Sequence, residues 1–260
     1  VAINFANDLP LLIAGTEVPV NPSFEDWVSG APRGWTVSGV TAETTLVFPC
    51  GERSCAIANG GSISQTLSLS SFGFTSFPTW ATSFGLAVCA RGGNATISVN
   101  GTTKAMVNGS GWGLTIQENA AVGTIGITNS SGSTCYVDSI MAGFLIDLDV
   151  PMKNWNPQAK MKGSKRASSY GTHTNLLSDA WDLKAELVSF ESALKIKLTG
   201  FISYVMKGHY YAAILDRAAS GNYQDEIFPY LYFNSQDAPD FKSGAPNVFG
   251  LKFNGEGCLP

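Results

Sequence analysis

The stretch Asn21-Pro-Ser-Phe-Glu-Asp-Trp-Val-Ser-Gly-Ala-Pro-Arg-Gly-Trp35 decides how this chain folds, together with a later one, Cys135-Tyr-Val-Asp-Ser-Ile-Met141. The first opens as a short strand, Asn-x-x-Phe-Glu, turns through Pro32 and Gly34, and starts a new strand at Trp35, whose size suits a core. Short runs of period-two alternation fill the interval between the two stretches. They include Trp35–Val40, Thr44–Phe48, Ser62–Leu69, Phe84–Cys89, Ala95–Val99, Trp112–Ile116, Thr124–Thr128 and Thr134–Met141. Alternation gives each run one inward and one outward face, and turn residues separate the runs. Asn100-Gly101 and Asn108-Gly109 are strong turn dipeptides. Such a series predicts an antiparallel β-sandwich with jelly-roll connections over residues 16–149.

The order of these elements resembles the carbohydrate-binding modules of the large jelly-roll group attached to xylanases and cellulases. Those modules read Asn-x-x-Phe-Glu, x-x-Pro-x-Gly-Trp, a middle Ile-x-Gln-x-Leu strand and a final Tyr-Val-Asp strand. The chain supplies Asn21, Phe24, Glu25, Pro32, Gly34, Trp35, Ile63, Gln65, Leu67, Tyr136, Val137 and Asp138 in that order. The likeness covers about half of the chain and implies binding to a surface rather than catalysis.

Beyond it the sequence changes character. Residues 150–175 are polar, basic and broken by Pro and Gly, and read as a linker or an extended docking arm. Residues 176–260 predict a small α+β domain. Trp181–Leu187, Tyr210–Leu215, Phe228–Phe233 and Val248–Phe253 read as strands, and Leu194, Leu198, Phe201, Ile202 and Val205 form an apolar stripe on one helix face. Residues 1–15 read as an N-terminal arm whose Leu11-Leu-Ile13 needs a surface to pack on. The order Gly163-Ser-Lys-Arg-x-Ser-Ser-x-Gly171, strand, helix, then Gly208-His-Tyr-Tyr-Ala-Ala-Ile-Leu-Asp216 is similar to small modules of tail and baseplate proteins in tailed bacteriophages. That likeness implies a virion component with copies of itself and other virion proteins as partners.

Charge divides the chain in the same place. Residues 1–149 hold four Lys/Arg against ten Asp/Glu, a net of −6, whereas residues 150–260 hold twelve against ten, a net of +2. Five of those twelve bases lie between Lys153 and Arg166, where a solvated segment is the plain reading and contact with nucleic acid or an acidic partner the sharper one. Neither nucleic-acid binding nor membrane insertion is expected. No apolar run approaches the ~18 residues of a membrane helix, and Leu9–Ala14 is too short and lacks the basic flank of a signal peptide.

Catalysis is not expected. His173 and His209 are the only two histidines, and neither sits in a metal-type or nucleophile-type motif. A triad of His209, Asp216 and a serine has nothing to localise its nucleophile. Hydrolysis of a glycoside needs two carboxylates held across a cleft, and Glu25, Asp26 and Asp138 are the only candidates near the motif. Glu25 and Asp138 lie on strands expected to be adjacent at one end of the sandwich, where calcium could take carboxylate and backbone oxygens. The alternative is two hydrogen-bonding carboxylates, and no other cofactor is expected.

For a glycan, flat aromatic surface is needed to cover the C–H face of a sugar ring. Phe72, Phe74, Phe77 and Trp80 are the natural candidates, with Trp112 second; the competing reading packs these rings inward or against a partner. Five cysteines give neither a closed disulfide set nor a zinc pattern. Cys50–Cys55 could staple a hairpin, Cys89 and Cys135 could be neighbours, and all could be reduced. Asn94, Asn100, Asn108 and Asn129 head glycosylation triplets, three of them in Gly/Ser/Thr-rich turns where such triplets arise by composition. The likeness to tail and baseplate modules implies a virion setting, with a secreted polysaccharide-degrading system as the alternative.

Overall fold

A computed structural model describes residues 10–48, 51–106, 110–148, 152–168, 171–214, 227–233, 239–245 and 248–257. The chain is mostly β, with one α-helix among these residues. In chain order the strands begin with β1 (Leu11–Ala14), β2 (Trp27–Val28), β3 (Ala31–Pro32), β4 (Thr36–Glu43) and β5 (Ser54–Thr66). A 3₁₀ turn at Leu69–Phe72 leads to β6 (Ser83–Arg91), β7 (Ala95–Val99), β8 (Thr102–Ala105), β9 (Gly113–Asn119), β10 (Thr124–Asn129) and β11 (Cys135–Asp147). Then come β12 (Met152–Ser168), β13 (Gly171–Phe190), α1 (Ser192–Val205), β14 (Tyr211–Ile214), β15 (Ile227–Tyr232), β16 (Asp240–Ala245) and β17 (Val248–Gly257).

All strands but β2 and β3 belong to one large antiparallel sheet system, ordered β12-β13-β17-β15-β14-β1-β11-β5-β10-β7-β8. Branches come off it where β4 pairs with β5, β6 with β11, β9 with β6, and β16 with β17. The β7–β8 turn uses Asn100 and Gly101 with φ of 50° and 79°, the two positive angles a tight hairpin turn needs. Asn108-Gly109 lies outside the described residues.

Strand β1 explains the apolar run near the start of the chain. It pairs with β11 on one edge (Leu11↔Asp147) and with β14 on the other (Leu11↔Ile214). Its four residues are all buried. Side chains alternate between two cores: Leu12 and Ala14 join the helix-covered core, Leu11 and Ile13 the opposite one. Burial on both faces is why the run shows no polar alternation. At about 1.5–3 kcal/mol for each buried Leu or Ile, β1 is a strong tie between the sheet of the first half and that of the second.

Three apolar clusters follow from the strand periods. Phe84, Leu86, Val88 and Ala90 of β6 face Phe24, Trp35, Ile63, Ile97 and Ile127, while Ala87 and Cys89 face Leu114, Met141 and Trp112. Helix α1 buries Leu194, Leu198, Phe201, Tyr204 and Val205 against Tyr211, Phe228 and Leu231. The expected stripe is therefore present, with Tyr204 added and Ile202 only partly buried. Cys55, Cys89 and Cys135 are free and buried. Cys89 and Cys135 belong to different clusters, which fits the reading of reduced buried thiols rather than that of neighbours; Cys50 and Cys258 lie outside the described residues.

The basic segment is strand in this fold. β12 and β13 pair in register from Met152↔Leu187 to Ser168↔Gly171. Among the described residues, β17 pairs with β13 from Trp181 to Phe190. Beyond that point the two strands continue with residues 160–168 pairing residues 171–180, and no other strand pairs with them among the described residues.

Candidate functional site

The sequence motif closes on itself through hydrogen bonds. Asn21 holds the first turn from its side chain: its Nδ2 donates to the Asp26 carbonyl at 2.7 Å, and its Oδ1 accepts from the Asp26 N–H at 3.0 Å. Trp35 packs on Phe24 with ring centroids 5.5 Å apart and donates from Nε1 to the Asn21 carbonyl at 3.3 Å. Gln65 then pins the turn to β5. Its Oε1 accepts from the Val20 N–H, and its Nε2 donates to the Gly34 carbonyl, both at 2.9 Å. Gly34 has φ +80°, and a Cβ there would stand 2.6 Å from the Val20 side chain, so neither angle nor space admits another residue. Phe24 itself sits at φ 58°, an angle costly for a bulky residue. Its complete burial and the hydrogen bond from Trp27 Nε1 to its carbonyl hold it there.

Glu25 and Asp138 grip the segment between β4 and β5 from two sides. Both Glu25 carboxylate oxygens accept from the Glu52 N–H at 3.1 Å, and one also accepts from the Arg53 N–H at 3.3 Å. Asp138 accepts from the Phe48 N–H at 2.9 Å through Oδ2 and from the Ser139 N–H at 2.7 Å through Oδ1. The Ser139 hydroxyl returns a bond to the Phe48 carbonyl at 2.7 Å. Burial pushes the Asp138 carboxyl well above its ordinary range, against the lowering effect of the two N–H donors. Glu25 is raised for the same reason, opposed by the Arg53 and Glu52 amides. In this arrangement both carboxylates serve as acceptors for backbone amides. No group of three or more His, Cys, Asp or Glu side chains that could hold a metal is found among the described residues.

The aromatic segment after β5 occupies the space between the two halves of the chain. Phe72 is fully buried and meets Phe84 and Phe144 edge-on at 5.7 and 5.0 Å. Phe74, Phe77 and Trp80 are half-buried around the same Phe144, at 5.3, 5.3 and 5.8 Å. Trp80 and Phe74 also reach helix α1, where Tyr204 lies 5.7 and 5.1 Å from them. Gly200 makes this approach possible, since a Cβ there would stand 2.6 Å from three Trp80 atoms. Trp112 is buried against Phe48 at 5.6 Å, in another cluster. Phe72 and Trp112 thus offer no face to solvent; Phe74, Phe77 and Trp80 keep part of theirs.

Sequence patterns did not reveal the clasp beside this segment. Glu17, just after β1, accepts from the Tyr210 N–H at 2.8 Å and pairs with His209 Nδ1 at 2.7 Å. The His209 ring stacks on Tyr204 at 4.0 Å. His209 is therefore committed through Nδ1 to Glu17; Asp216, its suggested partner, lies outside the described residues, as does the side chain of His173. Residues 17 and 209 are far apart in the chain, and only the β1–β14 pairing brings them together. Asn129, one of the glycosylation candidates, is buried and donates to the Ile57 and Ser133 carbonyls at 2.7 Å each. Comparison with family models and with curated proteins yields no match. Among the described residues no helix is long and apolar enough to cross a membrane.

Proposed function

We propose that the chain is a non-enzymatic structural component of a bacteriophage virion, in the tail or baseplate, a fibre or a capsid decoration. In this reading residues 16–149 form a carbohydrate-binding-module-like jelly-roll sandwich turned outward. Residues 176–260 form a small α+β anchoring domain, and the basic arm meets copies of the chain or other virion proteins. The observation that carries the reading is the β12–β13 ribbon, which beyond Trp181 continues without a third strand among the described residues. A two-stranded ribbon alone is marginal in water, so a chain that maintains one is suited to assembly, where neighbours complete it. The commitment of His209 to Glu17, and of Glu25 and Asp138 to backbone amides, supports a scaffold role for the polar groups that catalysis would otherwise draw on.

A second reading, a carbohydrate-binding module of a secreted polysaccharide-degrading system, is favoured by the partial exposure of Phe74, Phe77 and Trp80. A structural calcium held by Glu25 and Asp138 belongs to either reading. A glycan array run beside a sedimentation series separates them. Concentration-dependent assembly without sugar binding supports the virion component. Saturable sugar binding by a monomer, lost in Trp80→Ala while the fold persists, supports the module. Turnover of a polysaccharide that disappears in Glu25→Ala would overturn both.

A further inference from the structure

One outward sheet face carries its hydroxyls in rows. Strands β4, β5, β10, β7 and β8 lie side by side. Their register puts Thr36, Ser64, Gly126, Ser98 and Thr103 in line across all five. Two residues away along each strand, and therefore on the same face, a second row reads Ser38, Ser62, Thr128, Thr96 and Ala105. On the other side Thr66 pairs with Thr124. The alternate residues Ile63, Ile125, Ile127, Ile97 and Val99 fill the core, so the rows face solvent.

The middle row is the low one. Ser64, Gly126 and Ser98 are small, and a Cβ on Gly126 would stand 3.1 Å from Ser98 Oγ. Thr96 and Thr128 rise on one side of it, Thr66 and Thr124 on the other, and all but Thr96 are fully exposed. The result is a shallow trough running across the strands. At about 4.8 Å between strands, its five positions span about 19 Å.

None of the residues in these rows is charged or aromatic. Lys104 of β8 stands opposite Ile97, on the other face, and donates to the Ile116 carbonyl at 2.9 Å. Glu43, at the end of β4, accepts from the Thr44 and Thr45 N–H groups. The trough thus holds no fixed charge for an ionic ligand and none of the large apolar anchors on which protein partners dock. What it offers is threonine methyls and hydroxyls, each hydroxyl with one donor and two acceptor sites. Thr66 and Thr124 share a bond at 3.0 Å, and Ser98 donates to the Gly126 carbonyl at 3.4 Å, which leaves their remaining sites for a ligand. A neutral polyol chain matches this surface: its hydroxyls meet hydroxyls, and its C–H groups meet the methyls.

We propose that this trough is a glycan-binding site that takes a linear, uncharged polysaccharide lying across β4, β5, β10, β7 and β8. It is separate from the aromatic segment at 72–80. The assignment rests on the carbohydrate-binding reading above and adds to it a second site and the charge class of the polymer.

Affinity electrophoresis of the whole chain through gels containing β-glucan, xylan, galactomannan or anionic alginate tests it. The wild type should be retarded by at least one of the three neutral polymers and not by alginate. Ser64→Arg with Ser98→Glu fills the trough with long side chains of opposite sign, and should weaken retardation at least tenfold. Thr96→Val with Thr128→Val keeps the shape and β-branching while removing two hydroxyls, and should weaken it about tenfold. Circular dichroism verifies that each variant is folded, and the valine pair decides the matter if the charged pair is not. Trp80→Ala should keep the retardation that the trough provides. Folded trough variants that bind like the wild type, or binding abolished by Trp80→Ala alone, overturn the trough and leave the carbohydrate-binding reading standing. Alginate held as tightly as the neutral polymers overturns the charge class. A wild-type chain retarded by none of the four overturns both the trough and that reading.

Discussion

Gly200 is where the contact between the aromatic segment and helix α1 can be measured with a single methyl group. Inside a helix, Gly→Ala is normally stabilising by about 1 kcal/mol. Here the added Cβ would stand 2.6 Å from Trp80 Cβ, Cγ and Cδ1, a distance that real Cβ contacts essentially never show. Overpacking of this kind costs about 1–3 kcal/mol, so Gly200→Ala alone should lose the usual gain and be destabilising by up to about 2 kcal/mol net. Because Trp80 Cβ itself is one of the three clashing atoms, the relieving background is Trp80→Gly rather than Trp80→Ala. Removing the indole should be costly in itself. Fully buried large aromatics lose about 3–5 kcal/mol on truncation, and half-buried Trp80 should fall near the lower end. In that background Gly200→Ala has room, and its sign should reverse to a stabilisation of about 1 kcal/mol. Urea unfolding of the four proteins, followed by far-ultraviolet circular dichroism, reads the cycle directly. Equal effects of Gly200→Ala in both backgrounds, or a stabilisation in the wild type, would refute the packing of Trp80 on α1.

Two further substitutions test the motif network. Gln65→Leu strips the Val20 N–H and the Gly34 carbonyl of their partners at 2.9 Å; a loss of about 1–3 kcal/mol is expected, with a changed near-ultraviolet signal from Trp35, and an unchanged unfolding midpoint would contradict the pinning role. Asp138→Asn should alter how stability depends on pH. With the Asp138 carboxyl raised in the folded state, its contribution is fully present below about pH 4. As pH rises the unfolded chain ionises first, and that contribution declines until pH passes the folded value. The variant lacks this decline, so measured against the wild type its relative stability should improve as pH rises above about 4. A difference that does not vary with pH would contradict the raised carboxyl.

Local patterns carried much of the strand layout. The alternation in Ala95–Val99 and Thr124–Thr128 reappears as the paired strands β7 and β10, and Asn100-Gly101 as the turn that starts β8. The spacing of Leu194, Leu198, Phe201 and Val205 marked the buried face of α1. Tyr204 escaped notice because its burial depends on Trp80 and His209, both distant in sequence. β1 could be seen to need packing, but not that it would sit between β11 and β14, because pairing across nearly two hundred residues leaves no local trace. The same holds for the clasp of Glu17 and His209 (|i−j| of 192). Residues 152–180 lack a clean apolar alternation; their strand character lies in the pairing of β12 with β13, which no single-strand period reveals. For the candidate site, the aromatic run at 72–80 was conspicuous in the sequence. Which rings face inward depended on Phe144 and Gly200, and neither stood out.

The central claim, that the chain is built to assemble through its basic ribbon, is tested most directly by sedimentation velocity of the wild-type chain over a concentration series at low salt. The account predicts species larger than a monomer that grow with concentration. A single monomeric boundary at every concentration would contradict it.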